Sequence, residues 1–327
     1  MITPKNLALL KRQHYRIAGK HSAVQICRWT KHSLIGEGEC YKHKFYGIPS
    51  WRCCEISPSA VWCDNKCLHC WRAVEATQGN KMNPKMIDKP ELIIKECIEN
   101  RNKLLTGFGG HNRLNKERYR ESQEPTHFAI SLIGEPTLYP KIGELISLLR
   151  KKGKTSFIVT NGLHSEILKK MEKRKQLPTQ LYLSLNSSNE KDYVEWHKSS
   201  MKNAWKKYNE TLNLLNKITK EGKRTVLRMT LVRDMNMDDE HIEEFANIIK
   251  KSGVMYVEVK SFMCLGSSRE RLSYETMPSF KEIQIFAKKL AKAAGYLVLD
   301  EHMTSRIVLL GKDKIAKNRM KIKKEEI

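Results

Sequence analysis

The chain has 327 residues, and a hydrophobic content of 40% is enough for one large α/β domain or two ordinary ones. Its net charge of +24 favours a polyanionic partner, although a generally lysine-rich proteome would give the same excess. No apolar run reaches the length of a membrane span, and the first residues lack the apolar region of a secretory signal. We therefore expect a soluble, cytoplasmic protein without a membrane partner.

Residues 1–55 show no clear periodicity and are rich in Cys, His, Trp and Lys. Four of the nine cysteines lie there: Cys27, Cys40, Cys53 and Cys54. In a reducing compartment an odd number of cysteines favours metal ligation over disulfides. Their wide spacing leaves three readings open: a second iron–sulfur centre, a zinc site using His32 or His43, or scattered free thiols. The pattern does not choose between Cys53 and Cys54 as the third ligand.

A second group of cysteines follows a short strand-like segment, residues 60–62. Its members are closely spaced as C-x3-C-x2-C: Cys63, Cys67 and Cys70. Three thiolates can bind three irons of a [4Fe–4S] cube and leave the fourth iron open to a substrate or cofactor. A structural zinc site requires four ligands, usually in two separated pairs, and this loop fits that arrangement poorly.

Strand-like and helix-like segments alternate through the rest of the chain. Helices are predicted over 91–105, 141–151, 165–175, 201–219, 239–252 and 280–294, and strands over 126–132, 154–160, 180–185, 225–232, 254–262 and 295–310. Six successive βα units predict a parallel sheet, as an open (β/α)6 partial barrel or a doubly wound sheet. In either fold the chemistry lies beyond the carboxyl ends of the strands. The basic tail, residues 311–327, is predicted to be disordered or a frayed helix, and could face RNA.

Several polar or turn-forming residues fall at predicted strand ends. They are Gly134, Glu135, Pro136, Asn161 and Ser184. From the residues alone, ordinary turns explain the glycine, proline and asparagine positions. Arg228 lies inside a predicted strand, where it could pair with a substrate carboxylate or with a structural acid.

The three-cysteine loop resembles that of the radical S-adenosylmethionine (SAM) superfamily. The resemblance implies that the open iron binds SAM, and that an electron from the cluster cleaves it to a 5′-deoxyadenosyl radical. It selects the partial barrel. It also assigns SAM contacts: His69 near the adenine, Gly134, Glu135 and Pro136 near the amino group, Asn161 at the ribose, and Ser184 at the carboxylate or ribose.

A more specific resemblance covers about residues 20–280. The segments 40–47, 107–110, 128–140 and 258–263, together with Cys53, resemble the archaeal tRNA 4-demethylwyosine synthase family of wybutosine biosynthesis. This implies that N1-methylguanosine at position 37 of tRNA-Phe reacts with pyruvate. It divides the chain into a Cys-rich extension (1–55), a radical SAM core (56–310) and a basic tail (311–327). No flavodoxin-like domain precedes the core, so an external electron donor is expected, and we expect a monomer.

The same resemblance places a second [4Fe–4S] cluster on Cys27, Cys40 and Cys53, and assigns Lys42 the Schiff base with pyruvate. Such a lysine needs a lowered pKa, for which Lys44, Trp29 and Trp51 are plausible neighbours. The anticodon loop would contact basic residues within 101–120 and 202–207.

Two other functions remain open from the sequence. One is a different radical SAM enzyme with an auxiliary cluster, such as a peptide-modifying or activating enzyme. Such enzymes often carry late cysteines, and here Cys264 is the single late one. The other is a zinc-stabilised RNA-binding protein without catalytic activity.

Overall fold

A ten-stranded sheet organises the residues that the computed structural model describes, 1–326. Its strands are β1 (Arg16–Ala18), β2 (Ser22–Gln25), β3 (Cys53–Ser57), β4 (His127–Ile130), β5 (Thr155–Thr160), β6 (Gln180–Ser184), β7 (Arg224–Leu231), β8 (Tyr256–Ser261), β9 (Leu297–His302) and β10 (Ile307–Gly311). Strands β3 to β8 are parallel, and each lies beside its predecessor. Because this order never reverses, the sheet has no switch point of the doubly wound kind. The predicted (β/α)6 partial barrel is confirmed.

Antiparallel strands extend this parallel core at both edges. On one side β3 pairs with β2, which pairs with β1; on the other, β8 pairs with β10, which pairs with β9. The predicted single stretch 295–310 is therefore a hairpin. Residues 60–62, predicted to open the parallel series, lie in the loop that follows β3.

Twelve α-helices accompany the strands among residues 1–326. They are α1 (Pro4–Arg12), α2 (Arg28–Leu34), α3 (Tyr41–Tyr46), α4 (Pro90–Leu105), α5 (Lys116–Ser122), α6 (Ile142–Lys151), α7 (Ser165–Lys173), α8 (Glu190–His197), α9 (Ala204–Lys220), α10 (Asp239–Ser252), α11 (Phe280–Ala294) and α12 (Lys314–Asn318). Local signals set their bounds: at α11, Ser279 and Glu282 form a capping box, and Gly295 ends the helix at φ +72°. None of these helices is both long and apolar enough to span a bilayer.

Helix α3 lies inside the curve of the sheet. At its C-terminal end, Tyr46 packs 5.8 Å from Phe157 and lies near Arg224, at the start of β7. At its N-terminal end, Tyr41 accepts a 2.6 Å hydrogen bond from Arg228, farther along the same strand. The helix N-terminus therefore points toward the carboxyl ends of the strands, and the helix fills the barrel interior.

Both chain ends are more ordered than the sequence suggested. Residues 1–55, predicted to be irregular, contain α1 to α3 and strands β1 and β2, together with the first residues of β3. Two hydrogen bonds hold the tail against the barrel. Arg224 donates to the carbonyl of Met320 in the tail (2.9 Å), and the N–H of Ile322 in the tail donates to the Tyr46 carbonyl (3.1 Å). These contacts close the amino end of the barrel. Of the two alternatives predicted for the tail, its described residues show helix, over Lys314–Asn318, rather than disorder.

Candidate active site

The loop with Cys63, Cys67 and Cys70 lies at the carboxyl ends of the parallel strands, and all three are free thiols. The C-terminal end of α8 holds it by backbone hydrogen bonds. The Lys66 N–H donates to the His197 carbonyl, and the Leu68 N–H donates to the Trp196 carbonyl, each at a distance of 2.9 Å. Since the last carbonyls of a helix have no partner within it, the loop satisfies them. Helix α8 was not predicted, so this support was missed.

Two histidines lie at this loop: His69 within it, half-buried, and His197 beside it, buried. His197 Nδ1 is 3.1 Å from Cys67 Sγ, and His69 Nε2 accepts a 3.1 Å hydrogen bond from Asn186. Burial lowers the pKa of His69 to about 4 and that of His197 to about 3, so both rings are neutral near pH 7. When the Cys67 thiol is ionised, its sulfur can only accept a hydrogen bond. His197 Nδ1 must then carry the hydrogen and act as the donor.

The loop is held from the other side by the segment after β8. Arg271 donates to the carbonyls of Leu68 (3.2 Å) and Arg72 (3.3 Å), and also to that of Cys70. Its other nitrogen pairs with Glu75 at 2.6 Å. Five guanidinium donors in a fixed fork suit this role, because one side chain can satisfy several loop carbonyls. No motif in the sequence indicated Arg271.

The Gly134–Pro136 segment packs directly on the cysteine loop. Gly134 has φ +71°, and a Cβ there would lie 2.1 Å from the Ser59 carbonyl oxygen. The Glu135 N–H donates to the Trp62 carbonyl over 2.8 Å. Only glycine fits this close approach. The segment is thus a strap between β4 and the loop rather than an ordinary exposed turn.

The Glu135 carboxylate is fully engaged inside the protein. It accepts hydrogen bonds from the Thr137 N–H and hydroxyl, the Thr160 hydroxyl (2.7 Å) and the Asn161 N–H (2.7 Å). Burial raises its pKa, and these donors oppose that effect. Glu135 therefore ties the end of β4 to the end of β5.

The predicted strand-end residues meet around the same loop. Asn161 donates to Asp64, next to Cys63, over 3.3 Å, and His164 Nε2 lies 2.9 Å from the same carboxylate oxygen. Burial disfavours the charged His164 ring, but the hydrogen bond and charge of Asp64 outweigh it and raise the pKa of His164 to about 9. Ser184 ends β6, and its carbonyl accepts from Tyr208 over 2.9 Å. Asp64 and His164 were not predicted.

The second set of cysteines lies in the barrel interior. Cys27 precedes α2, Cys40 precedes α3, and Cys53 begins β3. Burial raises the pKa of the Cys53 thiol, Lys42 lowers it, and the charges of Cys27 and Cys40 raise it further. All three thiols are therefore neighbours around one lysine. Cys54 points to the opposite side of β3, into the core beneath the outer helices, because side chains alternate along a strand.

Lys42 extends into the barrel, with Nζ 5.5 Å from the centre of the Phe157 ring. Burial lowers the pKa of Lys42, but the charges of Tyr41, Cys53 and Cys40 raise it more, so its pKa lies above the usual range. The charges of the chain's own residues therefore do not lower the pKa of Lys42, and imine formation requires that its ammonium group first lose a proton.

The neighbours predicted for Lys42 are engaged elsewhere. Lys44 pairs with Asp300 at 2.8 Å, Trp29 packs edge-on to His302, and Trp51 covers Arg118.

A buried network of polar groups links helix α3 to strands β6, β7 and β8. Arg228 pairs with Glu258 at 3.0 Å, and Glu258 also accepts hydrogen bonds from Tyr46 (2.8 Å) and Tyr182 (3.1 Å). Arg228 thus has the structural acid that the sequence left as one alternative. Lys260, two residues after Glu258, was missed; burial and Arg228 lower its pKa to about 8.

The two cysteine sets can be compared with the ligands that a single zinc ion and an iron–sulfur cluster require. Among residues 1–326, no three Cys, His, Asp or Glu side chains lie close enough to share one metal ion. In an iron–sulfur cube each thiolate binds a different iron, so its cysteines stand apart around the cluster. Each set offers three free thiols, which is the number that holds a cube with one open iron, whereas a structural zinc site takes four ligands.

The expected RNA contacts within 101–120 are only partly exposed. Arg101 is fully buried and donates to the carbonyls of Cys53 (2.9 Å) and Trp51 (2.6 Å), so it stabilises the second cysteine set and cannot reach RNA. Arg120, Lys202 and Lys206 are exposed.

Comparisons with known proteins agree with this geometry. The model of the radical SAM superfamily matches residues 57–246, and a model described as wyosine base formation matches residues 251–312. An S-adenosyl-L-methionine-dependent tRNA 4-demethylwyosine synthase from Pyrococcus abyssi is 41% identical, covering 95% of this chain and 90% of the relative. The one from Mus musculus is 38% identical over 96% of this chain and 42% of its own length.

Two solved structures share the whole fold. A structure of TYW1 with a lysine–pyruvate adduct bound superposes with a TM-score of 0.85 at 35% identity, covering 99% of both chains. A crystal structure of archaeal TYW1 gives a TM-score of 0.78 at 32% identity, covering 98% of this chain and 100% of the other.

Proposed function

This chain belongs to the tRNA 4-demethylwyosine synthase family of radical SAM enzymes, and we propose that it converts N1-methylguanosine-37 of tRNA-Phe and pyruvate to 4-demethylwyosine. The observation that carries the proposal is Lys42, enclosed in the barrel beside the thiols of Cys27, Cys40 and Cys53. A similar protein holds a lysine–pyruvate adduct, which supports a lysine in this role, and we assign the role to Lys42.

The loop residues Cys63, Cys67 and Cys70 would hold the first [4Fe–4S] cluster. With SAM bound, that cluster would supply a 5′-deoxyadenosyl radical able to take a hydrogen atom from the N1-methyl group. The protein's part is orientation, because α8, Arg271 and the Gly134–Pro136 strap hold the loop rigidly. We assign the SAM contacts to His69, the strap, Asn161 and Ser184.

Cys27, Cys40 and Cys53 would hold a second cluster, next to pyruvate. The Lys42 amine attacks the C2 ketone of pyruvate and water leaves, which gives an imine that holds the keto acid inside the barrel. The N1-methylene radical then bonds to C2 of the imine, and the C1–C2 bond breaks so that the carboxyl carbon leaves with the unpaired electron and the imine is restored. The exocyclic amine attacks C2 and displaces the Lys42 nitrogen, which closes the third ring and frees the lysine. We assign the reducing electrons to an external flavodoxin- or ferredoxin-like protein, and the active form to a monomer.

One experiment tests the overall reaction. Reconstituted protein is incubated anaerobically with tRNA carrying N1-methylguanosine, SAM, pyruvate and dithionite, and the digested nucleosides are analysed by mass spectrometry. The expected product is 4-demethylwyosine, dependent on pyruvate. Release of 5′-deoxyadenosine without any tricyclic nucleoside would show a radical SAM enzyme with another substrate.

A second experiment identifies the lysine. Borohydride traps labelled pyruvate on the wild type and on three variants, Lys42→Ala, Lys260→Ala and Lys44→Ala. Lys260 is the necessary comparison, because it is also enclosed and its pKa is lowered to about 8. Lys44 pairs with Asp300 and is the control. Loss of label in Lys42→Ala alone supports the assignment, and undiminished label there removes Lys42 from this role.

A further inference from the structure

Trp71 follows Cys70 directly and is 44% exposed, whereas the other five tryptophans of the chain are buried or half-buried. It lies at the carboxyl ends of the strands, the face by which a substrate reaches the cysteine loop. A single exposed apolar side chain is ordinary by itself, but this ring directly follows the proposed cluster ligand Cys70 and is open to a flat ligand.

The inner face of the indole is covered by charge. The Arg72 guanidinium lies against the Trp71 ring, and its carbon is also 5.0 Å from the centre of the Tyr15 ring. Arg72 is 6% exposed, and its Nε and one Nη make no hydrogen bond within residues 1–326. Arg72 thus covers one side of the indole by a cation–π contact, and we call the exposed side of the ring its outer face.

The backbone beneath Trp71 is held rigidly. Its carbonyl accepts a 3.0 Å hydrogen bond from the Ser267 N–H, and a Cβ at Gly266 would lie 2.4 Å from the same oxygen. Arg271 holds the carbonyls on either side, those of Cys70 and Arg72. The indole is therefore presented in one orientation, which reduces the entropy lost when a flat ligand binds.

We propose that the outer face of Trp71 is a stacking platform for a nucleobase of the anticodon loop that neighbours the target base. The identity of the RNA rests on the proposed function. The argument for a base is chemical: a single-stranded loop offers planar rings that stack on aromatic side chains, and its phosphates suit a protein of charge +24.

Stacking on an aromatic side chain and contact with a phosphate predict different salt dependences of the binding affinity. Loss of one stacked base weakens binding by roughly 5- to 150-fold. It leaves the slope of log affinity against log salt unchanged, because no counterion is released from an aromatic ring. Loss of one phosphate contact would reduce that slope by about one.

The test measures binding of an anticodon stem-loop carrying N1-methylguanosine to cluster-loaded protein over a range of salt. Trp71→Ala and Trp71→Leu are expected to bind more weakly within the stated range at every salt concentration, and Trp71→Phe to retain most of the affinity. Ile315→Ala is the control, since Ile315 is 67% exposed on α12 at the opposite end of the barrel. A stem of the same sequence without its loop should not distinguish the variants.

Unchanged affinity in Trp71→Ala would overturn the platform, and so would a slope reduced by about one. If Trp71→Ala loses iron, the Phe and Leu variants decide: equal binding by both would overturn the proposal. The proposed function fails separately, when wild-type protein gives no 4-demethylwyosine. A wild type that converts the tRNA while Trp71→Ala binds normally would reject the platform alone.

Discussion

The two cysteine sets lie on the same small barrel but are held in different ways. Cys63, Cys67 and Cys70 belong to one surface loop, which backbone hydrogen bonds from α8 and Arg271 hold in place. Cys27, Cys40 and Cys53 come from two helix starts and a strand start, and meet inside the barrel around Lys42. The first set is thus sensitive to changes in loop geometry, and the second set is sensitive to changes in buried packing and charge.

The largest expected difference between the two sets is chemical. Cys63→Ala should abolish 5′-deoxyadenosine formation, because the first cluster loses a ligand. Cys40→Ala should retain SAM cleavage and lose the tricyclic nucleoside. Iron and sulfide analysis, with both products quantified, measures this, and each variant should retain about half of the wild-type iron, since one of two cubes is lost. Loss of SAM cleavage in both variants, with iron retained at half, would contradict independent sets.

Glu258→Gln tests the buried support of the second set. Removing one partner of the Arg228–Glu258 pair leaves a buried charge uncompensated and should cost about 3–5 kcal/mol of unfolding free energy. The control is Asp239→Asn, which breaks the exposed pair with Lys289 and should cost about 0–1 kcal/mol. Urea unfolding measures both. Equal losses in the two variants would show that the interior network contributes no more than a surface pair.

Gly134→Ala tests the loop set. The new Cβ would lie 2.1 Å from the Ser59 carbonyl, so the strap must shift, at a cost on the order of 1–3 kcal/mol beyond the strain of φ +71°. Gly153→Ala is matched, with φ +63° and no atom within 4 Å of the added Cβ. We expect a larger fall in Tm for Gly134→Ala, with loss of iron from the first cluster only. Similar Tm values for both variants would show that the close approach of position 134 to the Ser59 carbonyl does not limit stability.

The Asp64–His164 contact predicts a pH dependence for the loop set. Because the folded pKa of His164 is raised to about 9, its stabilisation is complete below the unfolded value near 6.5 and is lost as pH rises through about 9. The gap between wild type and His164→Gln should be about 1–2 kcal/mol after solvent screening and close between about pH 7 and pH 10. Urea unfolding across this range measures it, and a constant gap would contradict the prediction.

His197→Phe should produce the smallest effect. Losing the Nδ1–H donor to Cys67 removes a hydrogen bond that stabilises the more negative, reduced cluster, so its reduction potential should fall. Trp205→Phe is the control, because Trp205 packs on the same Tyr193 ring without contacting sulfur. Redox titration monitored by electron paramagnetic resonance measures both. A rise in potential, or equal shifts in the two variants, would contradict the assignment.

Helical periodicity was sufficient for the outer layer of the fold. Helices α10 and α11 have the predicted bounds, because an apolar face repeated every three or four residues and a cap at each end are local signals. Helix α8 was missed, since its eight residues carry aromatic and charged side chains that are buried only by tertiary contacts with the cysteine loop and with helices α9 and α10. Arg101 was assigned to RNA for a similar reason, because a charge by itself does not reveal burial.

Sequence alone determined the chemistry of the loop set, since the spacing of Cys63, Cys67 and Cys70 confines three thiols to one short segment whatever surrounds it. It also located five of the six parallel strands, whereas the first, β3, was predicted too late in the chain, at residues 60–62. Tertiary structure decided the rest: that Cys53 and not Cys54 faces Lys42, that Glu258 neutralises Arg228, and that Trp71 is left uncovered. These are properties of side chains far apart in the chain, and folding is what brings them into contact and sets their exposure to water.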